Sequence, residues 1–248
     1  MKIIIMLGIL GFAAVPPLSA GESEICVEPI ITEETMPTGL GKWELNLKFQ
    51  YWRKDEADLN LWEVPAASLF YGISDRFSGE VTAPLLVRTE NGERSSGAGD
   101  SGLGFKWLFS EETVSAPAFV LGLEIGLPTG SEDRELGEGR VEYEPYLAFY
   151  KDLLWAIVQG NIGYSYDWHK GTGIEYGLAL AFPAGKSLLL MAEMNGARDF
   201  EENETELYAT PGIKYEIKEG LGLGLGTPFG LTSGSFDRAV VIKAMFEF

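Results

Sequence analysis

The strongest constraint on the fold is an alternation of apolar and polar residues with a period of two. Residues 42–53 read KWELNLKFQYWR, where apolar and polar side chains alternate along most of the segment. Successive side chains of a β-strand point to opposite faces, so this pattern predicts a strand with one apolar and one polar face. In a soluble sandwich the apolar face would form the core, whereas in a membrane barrel it would face lipid.

The same alternation recurs to the end of the chain and predicts twelve strands. They fall near residues 42–53, 61–73, 77–88, 103–109, 119–127, 141–149, 158–168, 174–182, 188–194, 207–217, 221–227 and 240–248. The second of these is the weakest, because Pro65 interrupts it. After the N-terminus, no apolar stretch approaches the roughly 20 residues of a membrane-spanning helix. If the chain crosses a membrane, it therefore crosses with strands.

The predicted connections alternate between short turns and longer loops. The turns lie at residues 74–76, 111–115, 151–152, 183–185 and 218–220, and the loops lie at 54–60, 89–100, 128–139, 198–205 and 230–236, with a short loop at 169–172. Bacterial outer-membrane barrels have short periplasmic turns, longer outer loops and an even number of strands. The sequence predicts an all-β fold, namely a single antiparallel up-and-down transmembrane β-barrel of about twelve strands over residues 42–248.

The N-terminus is typical of a secretory signal peptide spanning residues 1–20. Lys2 is followed by an apolar run from residue 3 to about residue 15, then by Pro16-Pro17 and the small pair Ser19-Ala20. The alternative, a buried N-terminal helix, would be broken by the two prolines. Cleavage is expected within a few residues of Ala20. Residues 21–41 then form an N-terminal periplasmic segment, either a plug at the barrel mouth or a tail.

Charge and cysteine content exclude several classes of function. The net charge is −18, and removal of Lys2 with the signal peptide makes it −19, which argues against binding to nucleic acid. The single cysteine, Cys26, excludes an intramolecular disulfide and a zinc–cysteine site. Lipid attachment to Cys26 is disfavoured, because the preceding Ser23-Glu24-Ile25 lacks the small residue that a lipoprotein cleavage box requires. No cofactor and no metal site are predicted.

The end of the chain carries a candidate assembly signal. Aromatic or apolar residues occupy every second position from Val240 to Phe248, including Phe246. This pattern resembles the terminal strand signal that the barrel-assembly machinery recognises, although any edge strand can end in phenylalanine. The expected partners are therefore the barrel-assembly machinery, outer-membrane lipids and lipopolysaccharide, and a small-molecule solute.

Charged residues on the polar faces of the strands are the candidate lumen lining. The predicted acidic residues are Glu44, Glu80, Glu124, Glu142, Glu144, Asp167, Glu175, Glu193 and Glu216, and the predicted basic ones are Lys42, Lys48, Arg88, Lys106, Lys214 and Lys243. Two interpretations remain open at this stage. The charges line an aqueous path that favours neutral or cationic solutes, or they form an ion-pair network in a filled barrel. Twelve strands lie between about eight, which side chains fill, and about sixteen, which leave a channel.

Several stretches resemble a known family of barrels. These are LGKWELNLKFQY, YGISDRF, GDSGLGFKW, LEIGLPTG and LLLMAEMNG, together with the C-terminal phenylalanine. Over residues 38–248 the chain resembles the outer-membrane barrels described as the "MetA-pathway of phenol degradation" or transporter family. The resemblance implies a barrel and suggests passage of small molecules, aromatic or hydrophobic ones among them. It supplies no catalytic motif.

Two other functions are weaker. An outer-membrane lipid-modifying enzyme would need a histidine beside a serine and a carboxylate, but His169 is the single histidine and Gly171 occupies the second position after it. No catalytic residues are therefore predicted, and the protein is not expected to be an enzyme. A closed barrel with a structural or adhesive role is the main alternative to a channel.

Overall fold

A computed structural model describes residues 28–167 and 171–248 of the 248-residue chain. The predicted signal peptide, its cleavage site at Ala20, Cys26 and His169 lie outside the described residues. Within these ranges the regular structure consists of strands and one short 3-10 helix at Glu132–Arg134, which confirms the all-β prediction. In the same ranges, no helix has the length and apolar character needed to cross a bilayer.

The described residues form fourteen strands in chain order. They are β1 (Trp43–Lys54), β2 (Leu59–Ser74), β3 (Phe77–Glu90), β4 (Glu93–Ala98), β5 (Ser101–Ser110), β6 (Ala118–Leu127), β7 (Glu142–Asp152), β8 (Ile157–Asp167), β9 (Gly171–Pro183), β10 (Leu188–Asp199), β11 (Thr205–Lys218), β12 (Leu221–Gly226), β13 (Phe229–Gly230) and β14 (Arg238–Glu247). The strands pair with their neighbours in antiparallel fashion, as an up-and-down barrel requires.

The sheet closes on itself through its first and last long strands. Strand β1 pairs with β14 from Glu44 opposite Glu247 to Arg53 opposite Arg238, so the barrel wall has no open edge at this seam. Strands β4 and β5 pair with successive parts of β3, and β12 and β13 pair with successive parts of β11, so each pair forms one interrupted wall strand. The wall therefore contains twelve strands, which confirms the predicted number.

Exposure follows the alternation that the sequence predicts. On β1, Glu44, Asn46 and Gln50 are buried inside the barrel, whereas Phe49 is exposed on its outside. The outer surface is a continuous apolar band, as a lipid-facing barrel wall requires. Its exposed members include Trp43, Trp62, Leu69, Val81, Leu85, Phe105, Trp107, Leu121, Ile162, Leu178, Leu190, Ile213, Leu225 and Ile242.

The two ends of the barrel differ in the length of their connections. The turn rim is formed by residues 75–76, 111–117, 153–156, 184–187 and 219–220, and the loop rim is formed by residues 55–58, 91–92, 128–141, 200–204 and 231–237. Both ends of the barrel sheet lie at the turn rim, where the backbone N–H of Trp43 donates to the carbonyl of Phe248 at 2.8 Å.

The predicted loop at residues 89–100 is wrong in detail, because most of it is strand. Strand β3 continues to Glu90 and β4 begins at Glu93. The intervening Asn91 and Gly92 have φ angles of 49° and 86°. An Asn-Gly pair with both φ angles positive is the favoured two-residue hairpin turn, since its twist matches that of the flanking strands. The Asn-Gly dipeptide was thus the sequence signal for this hairpin.

Strand β2 is continuous despite Pro65. The pairing between β2 and β3 shifts between Glu63 and Ala66, so a bulge accommodates the residue that lacks a backbone N–H. The exposed apolar side chains fall on even positions before the bulge, at Trp62, and on odd positions after it, at Leu69. The bulge explains why the alternation was weakest in this segment.

Residues 28–41, called here the N-terminal segment, lie inside the barrel before β1 begins. Ile30 is 3% exposed and packs in a buried cluster with Ile157, Ala181, Leu189, Met191 and Val241. Met36 packs against a second cluster on the opposite wall, formed by Leu108, Ala118, Val120, Tyr146 and Ala148. Most of these wall residues lie near the turn-rim ends of their strands, so the segment fills the turn-rim half of the lumen.

Candidate functional site

The predicted lumen residues separate into groups at different heights of the barrel. Beside the N-terminal segment lie Glu44, Lys106, Glu193 and Lys243. Lys214 is buried on the inner face of β11. Around the open half of the lumen lie Glu80, Glu124, Glu142, Glu144 and Glu175. Lys48 is half-buried and lies within electrostatic reach of Glu33 of the segment. Glu216 is half-buried, and its backbone N–H donates to the Ser187 carbonyl at 2.8 Å near the turn rim. The side chain of Asp167 lies outside the described residues.

Two predicted basic residues lie away from the enclosed lumen. Arg88 forms ion pairs at the loop rim with Glu90 and Glu135, at 2.7 and 2.8 Å. Lys42 precedes β1 and forms an ion pair with Glu247 at the turn rim, where its side chain is 55% exposed. The alternation predicts which face of the strand carries each residue, but it does not predict the position of the residue along the barrel axis.

Glu193 on β10 holds the N-terminal segment through three consecutive backbone N–H groups. Its carboxylate accepts hydrogen bonds from Ile30 at 2.7 Å, from Ile31 at 3.0 Å and from Thr32 at 2.7 Å. Hydrogen bonds to an ionised acceptor are stronger than neutral ones, particularly where water is excluded, and Glu193 is 3% exposed. This carboxylate therefore holds residues 30–32 of the segment against the wall.

Lys106 on β5 holds the same segment from the opposite wall. Its ammonium lies 2.9 Å from the Glu33 carboxylate and 3.7 Å from that of Glu34, and it donates to the Glu34 carbonyl at 2.8 Å. The Lys106 side chain is 4% exposed and that of Glu33 is 28% exposed, so the ammonium group is removed from water more fully than the carboxylate. Removing one partner would leave a buried charge without compensation.

A second lysine and an amide anchor the start of the described segment. Lys243 on β14 forms an ion pair with Glu28 and donates to the Pro29 carbonyl at 3.3 Å. The Asn46 amide donates to Glu28 at 2.7 Å and to Glu44 at 2.9 Å. Strands β1 and β14, which close the barrel, thus both contact the segment.

Three carboxylates in this region lie close together. One oxygen each from Glu28, Glu34 and Glu44 lies within 4.8 Å of the other two, a spacing at which they could ligate a single cation. However, Lys106 and Lys243 already supply positive charge beside them. The two lysines offset part of the negative charge of this cluster.

The two glutamates of the segment that face Lys106 have opposite pKa shifts. Burial and the neighbouring Glu44 raise the pKa of Glu34 well above its usual value, and Lys106 only partly offsets them. Burial also acts to raise the pKa of Glu33, but Lys106 outweighs it and the pKa is lowered. Glu33 is therefore the stronger ion-pair partner of Lys106, in agreement with the shorter distance between their charged atoms.

A glycine surface on β11 and β12 makes room for Ile30. A Cβ atom at Gly226 would lie 2.9 Å from Ile30 Cγ2, which is closer than real Cβ contacts. At the neighbouring inward position, Gly224, the corresponding Cβ would lie 3.8 Å from Ile30, an ordinary contact distance. Gly226 is therefore required for the close approach of the segment to the wall.

Above the segment, on the side of the loop rim, lies the upper cavity, with a volume of about 310 Å³. Ile31 and Glu33 of the segment form part of its lining, and the wall contributes four carboxylates, those of Glu124, Glu144, Glu175 and Glu206. Its inward-facing aromatic residues are Trp52, Tyr146 and Tyr208. The cavity thus combines an acidic wall with aromatic surface.

A smaller side cavity, of about 200 Å³, adjoins the upper cavity through Glu124 and Glu144. Glu80, Glu142 and Asp100 add three further carboxylates to it. Among the described residues, neither cavity has a lysine or an arginine in its lining. The lumen is therefore divided along its axis into a filled half that contains lysines and an open half that is acidic.

Several residues of this site were missed by the sequence analysis. Trp52, Tyr146 and Tyr208 have the same strand parity as inward-facing charged residues, so the alternation contained a signal for them. Glu28, Glu33 and Glu34 had no such signal, because the N-terminal segment is not a strand and its contacts depend on distant parts of the chain.

Similar folds occur among solved outer-membrane channels. The "COG4313 outer membrane channel from Pseudomonas putida F1" has a TM-score of 0.71 and 14% identity, with 90% of this chain and 100% of that chain covered. The "NanC porin" structure has a TM-score of 0.57 and 8% identity, with coverages of 82% and 98%. The "KdgM porin" has a TM-score of 0.56 and 9% identity, with coverages of 83% and 99%. No curated protein matches the chain.

The closed twelve-stranded wall, its apolar outer band and its charged interior define a β-barrel of the bacterial outer membrane. Residues 65–248 match the family described as "Putative MetA-pathway of phenol degradation". The chain belongs to this family, which confirms the resemblance seen in the sequence.

Proposed function

We propose that the protein is an outer-membrane channel for the passive passage of small molecules. The observation that carries this proposal is the upper cavity, whose carboxylates line the open half of the lumen above the N-terminal segment. A barrel with a purely structural role needs no such cavity, because side chains can fill a small barrel completely.

Passage through the barrel requires the N-terminal segment to move. The segment is not part of the wall, whose hydrogen bonds between β1 and β14 begin at Glu44. It can therefore leave the turn-rim half without opening the barrel. The contacts of Glu193, Lys106 and Lys243 set the free energy of this movement.

The lining favours neutral or cationic solutes over anions. A narrow passage between low-dielectric walls strengthens the field of its charges. Among the described residues, the linings of the upper and side cavities contain carboxylates but no lysine or arginine. The family description refers to phenol degradation, and the aromatic side chains of the upper cavity offer surface for an aromatic or hydrophobic solute. A small aromatic or hydrophobic molecule is thus a candidate substrate.

The alternative is a closed barrel with a structural or adhesive role. The buried ion pairs between the N-terminal segment and the wall favour it, because they stabilise a filled lumen. An enzyme is the weakest candidate, since the structural relatives named above are channels and porins. For a channel, we expect the turn rim to face the periplasm, the outer band to contact lipid and lipopolysaccharide, and the barrel-assembly machinery to insert the chain.

Uptake into liposomes tests the channel directly. The purified protein is reconstituted into lipid vesicles, and swelling is followed in iso-osmotic solutions of sugars, organic amines and phenol of increasing size. The proposal predicts swelling that depends on solute size and increases when residues 28–38 are deleted. Vesicles that do not swell with either protein, although both are folded and inserted, would favour the closed structural barrel.

A further inference from the structure

Among the described residues, several hydrogen-bond acceptors of the upper cavity have no donor. Glu124, Glu144 and Glu175 form no hydrogen bond or ion pair with any residue in the described ranges. The amide oxygens of Asn161 and Asn195 are buried, and in these ranges they too find no partner. Glu124 and Glu144 are half-buried and Glu175 is exposed to the lumen, so these three carboxylates are open to water. The two amide oxygens differ from them, because buried acceptors are normally satisfied. Together the carboxylates and amides favour a ligand that donates hydrogen bonds and carries positive charge.

The two asparagines lie side by side on the wall. Asn161 on β8 and Asn195 on β10 are both paired with Gly177, which lies on the strand between them. The Asn195 Nδ2 group donates to Thr32 Oγ1 at 2.9 Å, so its amide is fixed by the N-terminal segment. Both amides pack over Gly177, where a Cβ atom would lie 2.5 Å from Asn161 Oδ1 and 3.0 Å from Asn195 Nδ2, so this position has no room for a side chain.

The spacing of the carboxylates argues against a single metal ion. In the described parts of the chain, the one group of three carboxylates with oxygens within 4.8 Å of each other is formed by Glu28, Glu34 and Glu44, and none of these residues lines the upper cavity. Metal ligands must converge on one point at about 2–2.6 Å. The wider spacing of the carboxylates instead fits an organic cation, which is larger than a metal ion.

The aromatic residues provide a contact surface for the apolar part of such a cation. Trp52 and Tyr208 pack edge to face, with ring centroids 5.4 Å apart, and Tyr146 lines the same cavity. Aromatic faces attract organic cations as well as apolar groups. The volume of about 310 Å³ lies near the lower end of the range for small-molecule sites, roughly 300–1,000 Å³.

We propose that the upper cavity binds a small organic ammonium ion that carries an aromatic or apolar group. The ammonium group lies among the carboxylates of Glu144 and Glu175 and the amide oxygens of Asn161 and Asn195, and the apolar group lies against Trp52 and Tyr208. The proposal rests on the proposed channel function, because it names the class of solute that the open half of the lumen selects.

Calorimetric titration of the folded protein in detergent tests the site without requiring transport. Three probes of similar size are compared: benzylammonium, benzyltrimethylammonium and benzyl alcohol. We expect saturable binding in the order given, because the first has charge and N–H donors, the second has charge alone and the third has neither. Equal affinity for benzyl alcohol and benzylammonium, or no binding of any probe, would overturn the proposal.

The benzylammonium affinity of substitution variants tests where the site lies. Glu144→Gln combined with Glu175→Gln should weaken benzylammonium binding about tenfold, because two carboxylates of a partly screened site are neutralised. Glu201→Gln removes one carboxylate from an exposed loop and should leave the affinity unchanged. Unchanged affinity in the double variant would contradict the assignment. If that variant does not fold, the comparison of the three probes on the wild-type protein still decides.

Two further measurements distinguish the ammonium site from a metal site and from the channel function. Calcium titrated in place of the amine should not bind saturably at this site. Saturable calcium binding that is lost in the double variant would show a metal site instead. Liposome swelling with glucose tests the channel function independently. Swelling without benzylammonium binding would refute the site alone, and benzylammonium binding without swelling would refute the channel alone.

Discussion

The carboxylate of Glu193 accepts a hydrogen bond from the backbone N–H of Ile30 at 2.7 Å, across 163 positions of the sequence. Through this bond and its two neighbours, a strand in the second half of the chain holds the segment that precedes the first strand. The segment inside the lumen is thus held by a wall strand that follows it by more than 160 positions.

Replacement of Glu193 by alanine should release the N-terminal segment. Three backbone N–H groups would lose a charged acceptor, and each such hydrogen bond contributes roughly 1.5–3 kcal/mol. We expect hydrogen exchange of residues 28–36 to accelerate at least about a hundredfold, while the wall strands stay protected. Asp75→Asn, at an exposed turn, is the control. Unchanged protection of residues 28–36 would show that other contacts hold the segment.

Gly226→Ala should displace the segment by a different route. The new methyl group would lie 2.9 Å from Ile30 and 3.1 Å from Thr210, so one of them must move, at a cost of about 1–3 kcal/mol. Gly224→Ala is the matched control, because its methyl group has room. We expect faster exchange of residues 28–36 in the first variant, and restoration when Ile30→Ala is added. Equal behaviour of the two glycine variants would refute the close packing.

The position of the segment should depend on pH through Glu34. Burial raises the pKa of Glu34 in the docked segment above its usual value of 4.5, so docking binds a proton. Docking should therefore be strongest near the usual pKa and weaken as the pH rises toward the raised one. The pKa of Glu33 is lowered, so its contribution is lost only when the pH falls below about its usual value.

Hydrogen exchange of residues 28–36 at about pH 5.5 and about pH 8, corrected for the intrinsic rate, measures this dependence. Protection should be higher at the lower pH, and Glu34→Gln should reduce the difference. The groups that face Glu34 are Glu28, Glu44, Lys106 and Lys243, so part of the dependence can remain in the variant. Protection that increases with pH would contradict the assignment.

Phe248 should matter for assembly in two separable ways. Its backbone forms two hydrogen bonds with Trp43, at 2.8 and 2.9 Å, which close the seam at the turn rim, and its side chain is 69% exposed. Phe248→Ala keeps the seam and removes the candidate signal recognised by the assembly machinery, whereas deletion of Phe248 removes both.

We expect Phe248→Ala to lower the amount of folded, heat-modifiable protein in the outer membrane without changing its thermal stability in detergent. Deletion should lower both quantities, and Phe246→Ala should resemble Phe248→Ala. An undiminished level of folded protein in the membrane for all three variants would rule out an assembly signal at this end.

The sequence predicted the barrel wall well because strand alternation is a local property. Each strand can be recognised from about ten consecutive residues. That Glu124 and Lys106 point inward follows from their positions in the alternation. The parity of their positions also places Trp52 and Tyr208 on the inward face, but only charged residues were predicted to line the lumen. The bulge at Pro65 and the Asn91-Gly92 hairpin altered register and length, which alternation alone does not determine.

The occupancy of the lumen could not be predicted in the same way. Residues 28–41 have no periodicity, and their contacts with Glu193, Lys106 and Lys243 join parts of the chain that are 72 to 214 positions apart. The sequence therefore left a plug and a tail as open alternatives. Likewise, it supplied the acidic residues of the lumen but could not separate the acidic open half from the filled half that contains lysines.

We expect the protein to form a channel whose ion selectivity comes from lumen carboxylates. Glu80 and Glu124 line the open half, and glutamine preserves the volume of each side chain while removing its charge. In planar bilayers under a salt gradient, the reversal potential of the wild-type channel should show preference for cations, as an excess of fixed negative charge requires.

Glu80→Gln combined with Glu124→Gln should lower the cation-to-anion permeability ratio without unfolding the barrel. Glu201→Gln, in the exposed loop, should leave the ratio unchanged. The predicted result is a reversal potential shifted toward the cation and reduced in the double variant. Equal permeability to both ions, preference for anions, or the absence of conductance from folded and inserted protein would contradict it.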